Sequence, residues 1–189
     1  INENRLQSLS GKLHVLKGST KGQVDAKQLP AEIELQLKVG ARVMIVTNDP
    51  AGRFVNGTMG WVKKITDEGV VVTADDGLEV TVDAHKWDVH KYLYDQKARS
   101  LSQEKVGSYT QIPLKLAWAI TIHKSQGKTF DKVAIDLGRG SFASGQTYVA
   151  LSRCRAFEGI ILKKAIRKSD ILTDRRVQGI GVSCELKVW

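Results

Sequence analysis

Leu116-Ala117-Trp118-Ala119-Ile120-Thr121-Ile122-His123-Lys124-Ser125-Gln126-Gly127 joins two kinds of sequence without a break. Residues 116–122 are nearly all apolar, which predicts a strand buried on both faces, and a polar loop follows at once. Downstream, Val133-Ala134-Ile135-Asp136-Leu137 predicts a second buried strand and Gly138-Arg139-Gly140 a flexible turn. Residues 144–153 read as a helix, and Gly159-Ile160-Ile161-Leu162 as a third strand. Strand, loop, strand, helix, strand is the order of an α/β sheet with functional loops at its strand ends.

Upstream the pattern is different. Residues 41–47 are rich in β-branched side chains, and Asn48-Asp49-Pro50-Ala51-Gly52 follows as a turn. Asn56-Gly57 is a second turn signal. Residues 61–65 and 69–73 are strand-like, separated by Thr66-Asp67-Glu68, and Asp75-Asp76-Gly77 leads into residues 78–82 as a hairpin. Several short strands so closely spaced predict a small antiparallel barrel over residues 39–110. In residues 1–38, Leu6, Leu9, Leu13, Val15 and Leu16 show only weak periodicity, broken by Gly11, by the loop 18–22 and by Pro30. Irregular structure lying over another domain is expected there. No internal repeat or low-complexity segment is visible.

The 189 residues are enough for a substantial core, and 42% hydrophobic with 26% charged residues is an ordinary globular composition. No apolar run approaches the roughly 20 residues needed to cross a bilayer, and the polar start at Ile1 has no signal-peptide pattern. An intracellular protein with no membrane partner is expected, cut from something longer because Met is missing at position 1. Cys154 and Cys184 are expected as buried free thiols, with one disulfide as the alternative, and no Cys/His clustering suggests a metal site. The net charge of +9 is uneven: +2 over residues 1–38, −1 over 39–110 and +8 over 111–189. Positive charge gathered in one part of a chain suits a polyanion, although a solvated lysine-rich surface would give the same count.

Ser125-Gln126-Gly127-Lys128-Thr129 ends like a phosphate-binding P-loop, but that loop needs a glycine at position 122, where Ile122 stands. A P-loop kinase is thereby excluded. The loop still sets two hydroxyls, an imidazole, an ammonium and an amide at a strand end, donors that suit phosphate oxygens. On these residues alone it could equally be a plain polar loop. In Gln146-Thr147-Tyr148-Val149-Ala150-Leu151-Ser152-Arg153-Cys154-Arg155, helical spacing puts Gln146 and Arg153 on one face, with Tyr148 and Leu151 free to pack inward. Arg153 could reach a bound phosphate bidentately, or could simply favour the negative end of its helix.

Residues 114–127 strongly resemble motif V of the Pif-type, RecD-like group of superfamily 1 DNA helicases, and residues 146–155 resemble its motif VI. Leu37-Lys38-Val39-Gly40-Ala41-Arg42-Val43-Met44 with Val55-Asn56-Gly57-Thr58-Met59-Gly60 resembles the entry to that group's SH3-like barrel, and Arg5-Leu6 with Leu9-Ser10-Gly11 the stretch before it. The resemblance implies an α/β fold: a partial second RecA-like domain from residues 1–38 and 111–189, with an SH3-like barrel inserted at 39–110. It implies that Arg153 is an arginine finger for ATP, with Gln126, Gly127, Gln146 and Arg155 near the nucleotide cleft. Thr121, His123, Lys124 and Ser125 would grip single-stranded DNA, and Asn56 would face DNA or simply form its turn. A glutamate that contacts ribose in other superfamily 1 helicases is replaced by Thr129, so that role is not carried over. ATP and Mg2+ would be held mainly by a first RecA-like domain absent from this chain, for Asp136 lacks the paired acidic neighbour of a magnesium motif. The chain alone is expected to be catalytically silent, its parent to be a monomeric 5′–3′ helicase, and a non-enzymatic nucleic-acid-binding adaptor is the rival.

Overall fold

The computed structural model describes residues 1–26, 29–95 and 100–174. Two compact units divide the chain, Ile1–Ala119 and Ile120–Trp189. The sequence expectation divided it at 38/39 and 110/111 instead. Compactness within the chain and membership of a domain shared with another segment are different properties.

In the first unit, helix α1 (Asn2–Ser8) precedes β1 (His14–Lys17) and β2 (Ser19–Gly22), followed by β3 (Glu34–Leu37). Residues 1–38 are therefore more regular than expected. The reason is local alternation: Glu34 and Gln36 face solvent while Leu35 and Leu37 are buried, and β1 pairs antiparallel with β3.

β4 (Arg42–Ile45), β5 (Met59–Ile65), β6 (Val70–Ala74), β7 (Glu79–Val82) and the short β10 (Leu114–Leu116) form one antiparallel sheet in the order β10-β4-β5-β6-β7. The turn signals fall where the sequence put them. Thr66 closes the β5–β6 turn, accepting from the Gly69 N–H through Oγ1 and donating to its carbonyl through the backbone. Asp76 Oδ1 accepts from Leu78 N at the β6–β7 turn. The apolar alternate residues Val43, Ile45, Val62, Val70, Val72, Val80 and Val82 make the core, joined by Leu6, Leu35 and Leu37. Among the described residues no ladder joins β7 to β10, so the expected barrel is seen as an open five-stranded sheet.

β8 (His85–Asp95) and β9 (Ser100–Gln111) form a long hairpin that the sequence reading did not resolve, with β2 on its other edge. Gln111 anchors its base. Its buried amide donates to the carbonyls of Leu16, Glu32 and Ile33 and accepts from Ile112 N.

The expectation most changed is the strand over residues 116–122. β10 ends at Leu116, and Ile120 and Ile122 are only half-buried. Asn2 takes over the backbone groups that a strand neighbour would have bonded: its Nδ2 donates to the carbonyls of Leu116 (3.3 Å) and Ala119 (2.9 Å), and its Oδ1 accepts from Ala119 N (2.9 Å). A strand buried on both faces also needs strand neighbours. The second unit offers two three-residue strands among its described residues, β11 (Val133–Ile135) and β12 (Ile160–Leu162), which pair with each other in parallel. Helix α2 (Gln146–Leu151) lies between them in sequence. The α/β pattern is thus confined to β11, α2 and β12, and antiparallel pairing dominates elsewhere.

Candidate functional site

Residues 121–127 fold as a tight turn. A single 3-10 turn spans His123–Ser125, with Ser125 N donating to the Thr121 and Ile122 carbonyls, both at 3.1 Å. Thr121, His123 and Lys124 are exposed, together with Gln126 and Gly127. Ser125 is 6% exposed, and its hydroxyl donates to the Ile122 carbonyl at 2.6 Å. Its side chain therefore braces the turn from inside while its three neighbours present donors outward. Lys128 N donates to the Ser125 carbonyl at 3.1 Å, and Gly127 makes the reversal at φ +74°, where any Cβ would be strained. Burial holds the Lys128 ammonium below its ordinary pKa.

Helix α2 is shorter than expected and stops before Arg153, yet the two stay connected. Arg153 Nε donates to the Val149 carbonyl (3.1 Å), Nη1 to the Lys128 carbonyl (3.2 Å) and Nη2 to Ser152 Oγ (3.0 Å). The half-buried guanidinium thus spans the helix end and the segment that follows the 121–127 turn. Gln146 starts the helix, and its Oε1 accepts from Phe142 N (3.0 Å) and Ala143 N (3.4 Å). Arg155 is exposed and pairs with Asp131 at 3.5 Å. The inward packing expected for Tyr148 is not found: the ring is 74% exposed, because on so short a helix the buried positions are Thr147 and Ala150. Asn56 lies in the first unit, exposed, its N–H donating to Asn48 Oδ1 at 2.7 Å as a turn residue would.

A buried polar knot that the sequence did not reveal fixes α2 from its other side. Thr147 Oγ1 donates to the Asp170 carbonyl and lies 2.7 Å from Ser141 Oγ. Asp170 is 7% exposed, and its carboxylate accepts from Arg167 N (2.8 Å) and Ser141 N (3.3 Å). A threonine inside an otherwise apolar helix is the one signal that pointed here; Asp170 carried none. Asp136, beside β11, accepts from Gly138 N and from Lys163 Nζ, and the ammonium holds its carboxyl below the usual range. No group of His, Cys, Asp and Glu among the described residues could hold a metal ion. Cys154 is a half-buried free thiol, and Cys184 lies outside the described residues.

An exposed donor turn bonded to an arginine at a helix end, in this sequence context, belongs to the class of DNA helicases that resemble Pif1. The chain is homologous to a portion of the Pif1 ATP-dependent DNA helicases. It is 42% identical over 167 residues to the human ATP-dependent DNA helicase PIF1, covering 84% of this chain and 24% of that protein. Against Pif1 of Bdellovibrio bacteriovorus the identity is 41% over 136 residues, or 72% of this chain and 29% of the other. The unliganded structure of Pif1 from Bacteroides sp superposes with a TM-score of 0.78 at 36% identity, over 95% of this chain and 41% of that one. The same figures hold for that helicase in complex with ADP-AlF3 and single-stranded DNA. This chain therefore spans about a quarter of the length of those curated relatives. No protein-family model matches it. Among the described residues no helix is long and apolar enough to cross a membrane.

Proposed function

We propose that the chain is the C-terminal portion of an ATP-dependent 5′–3′ DNA helicase, comprising part of its second RecA-like domain and an SH3-like barrel built on the β4–β7 sheet. The observation that carries this is the Arg153 guanidinium, bonded both to the end of α2 and to the Lys128 carbonyl that follows the donor turn. One side chain then belongs to two functions at once, phosphate chemistry and grip on a strand.

Thr121, His123 and Lys124 present a hydroxyl, an imidazole and an ammonium to solvent, and would contact the phosphates of single-stranded DNA. Ser125 would keep their spacing from within the turn. Asn56 would add a contact from the first unit. Such backbone contacts are sequence-tolerant, so no base preference is expected. Arg153 would meet the nucleotide's terminal phosphate, with Gln126, Gly127, Gln146 and Arg155 nearby. A guanidinium suits this role because it stays charged at any working pH and donates in a planar fork. When bound, ATP with Mg2+ supplies the phosphoryl group whose developing charge the arginine stabilises. The metal would be held by the parent's first RecA-like domain, since this chain's described residues offer no carboxylate cluster. The parent is read as an intracellular monomer.

The test is ATP hydrolysis with and without single-stranded DNA, for the parent and for this chain alone. Strand-stimulated turnover in the parent with none in the chain is expected. Turnover by the chain alone would refute the division of labour; DNA binding by a parent that hydrolyses no ATP would favour a binding adaptor.

A further inference from the structure

The segment 128–131 lies directly against 153–155. Besides the bond from Arg153 Nη1 to the Lys128 carbonyl, Phe130 N donates to the Arg153 carbonyl (2.8 Å) and Arg155 N donates to the Phe130 carbonyl (2.9 Å). These make a parallel bridge between Phe130 and Cys154. Cys154 Sγ donates to the Asp131 carbonyl at 3.4 Å. Gly159 closes the other side. A Cβ at that position would stand 2.1 Å from the Asp131 carbonyl oxygen and 2.7 Å from Cys154 Sγ, so any side chain must push the segment away. Upstream, Lys128 N is bonded to the Ser125 carbonyl, and Ser125 N to those of Thr121 and Ile122. An unbroken run of main-chain bonds therefore leads from the donor turn to both ends of Arg153.

We propose that residues 128–131 transmit the occupancy of the 121–125 turn to the Arg153 guanidinium, and that Gly159 is the positioning residue that holds them in contact. This rests on assigning the turn to single-stranded DNA and Arg153 to a nucleotide phosphate. The Lys128 carbonyl is one of three acceptors that hold the guanidinium, and it is the one tied to the turn. A strand gripping the turn shifts that carbonyl and releases Nη1–H for a phosphate oxygen. Main-chain bonds transmit such a shift without dilution by side-chain rotation. A displacement of about 1 Å at a reacting group is enough to change a rate by about a hundredfold.

The experiment uses the full-length parent and an oligothymidylate. For Gly159→Ala, hydrolysis without DNA and affinity for the oligothymidylate should stay near wild type, while stimulation by the strand falls on the order of tenfold to a hundredfold. A folded variant with normal stimulation overturns the inference. Hydrogen exchange at the Phe130 and Arg155 amides of the wild-type parent decides it even if the variant does not fold. Protection of both should change when the oligothymidylate binds, and unchanged protection refutes the transmission. Absence of any stimulation in the wild-type parent would overturn the helicase assignment itself, and this inference with it.

Discussion

Asn2 and Lys124 illustrate the two tasks a polar side chain performs in this protein, closing the backbone and facing a ligand. The Asn2 amide makes three bonds to the main chain at Leu116 and Ala119. Removing it leaves half-buried backbone groups without partners, a loss of about 1–3 kcal/mol. Asn2→Ala should lower the thermal midpoint accordingly, by several degrees in calorimetry. Asn2→Asp should be worse at neutral pH, because a carboxylate would face two carbonyl oxygens. Lys124 is exposed, and its replacement should leave the fold intact. Lys124→Ala should instead weaken single-strand binding and reduce the slope of log affinity against log salt by about 0.7, the value for one phosphate contact on a single strand. An unchanged slope in a salt titration would remove Lys124 from the strand-gripping set.

Among the elements, β3 and the β11–β12 pair respond to different perturbations. Leu35 and Leu37 are almost fully enclosed, and truncating either to alanine should cost about 2–5 kcal/mol in denaturant unfolding of the first unit. Joining β11 to β12 at the surface is the Asp136–Lys163 pair, whose ammonium depresses the Asp136 pKa below its ordinary 3.8. A depressed carboxyl stabilises the fold above its unfolded pKa and stops doing so as pH falls through the folded one. The midpoint gap between wild type and Asp136→Asn should therefore be present at neutral pH and close below pH 3.8. It should also be small, because the pair is exposed. A gap that persists in acid would assign the effect to something other than the ion pair. These elements also mark what the sequence could reveal. Turn chemistry was legible, as at Thr66 and Asp76, because it depends on residues within a few positions of each other. The alternation in Glu34-Leu35-Gln36-Leu37 was equally local but only four residues long, too short to stand out. The strand expected over residues 116–122 failed for a non-local reason. Its apolar run was real, but Asn2, 117 residues away from Ala119, occupies the backbone that a strand would use.

For the whole molecule, the site residues were legible as a set of chemical types, while their contacts were not. Ser125 was grouped with Thr121, His123 and Lys124 by sequence adjacency, yet the 3-10 turn faces its hydroxyl inward. Arg153 was placed on a helix face shared with Gln146; the helix ends at Leu151, and the guanidinium reaches back to Val149 and across to Lys128. Asp170, which fixes α2 through Thr147 and Ser141, lies 23 residues from the threonine it holds and has no sequence signature. The excess of positive charge over residues 111–189, +8 of the chain's +9, surrounds these groups in sequence and suits the polyanions proposed for them. The central claim is that Arg153 completes a nucleotide site shared with a segment outside this chain. The measurement that bears on it most directly is the kcat of strand-stimulated ATP hydrolysis by the full-length parent, wild type against Arg153→Ala. A fall on the order of 10³-fold with single-strand affinity retained is expected, as for other arginine fingers; near-normal turnover in the variant would contradict the claim.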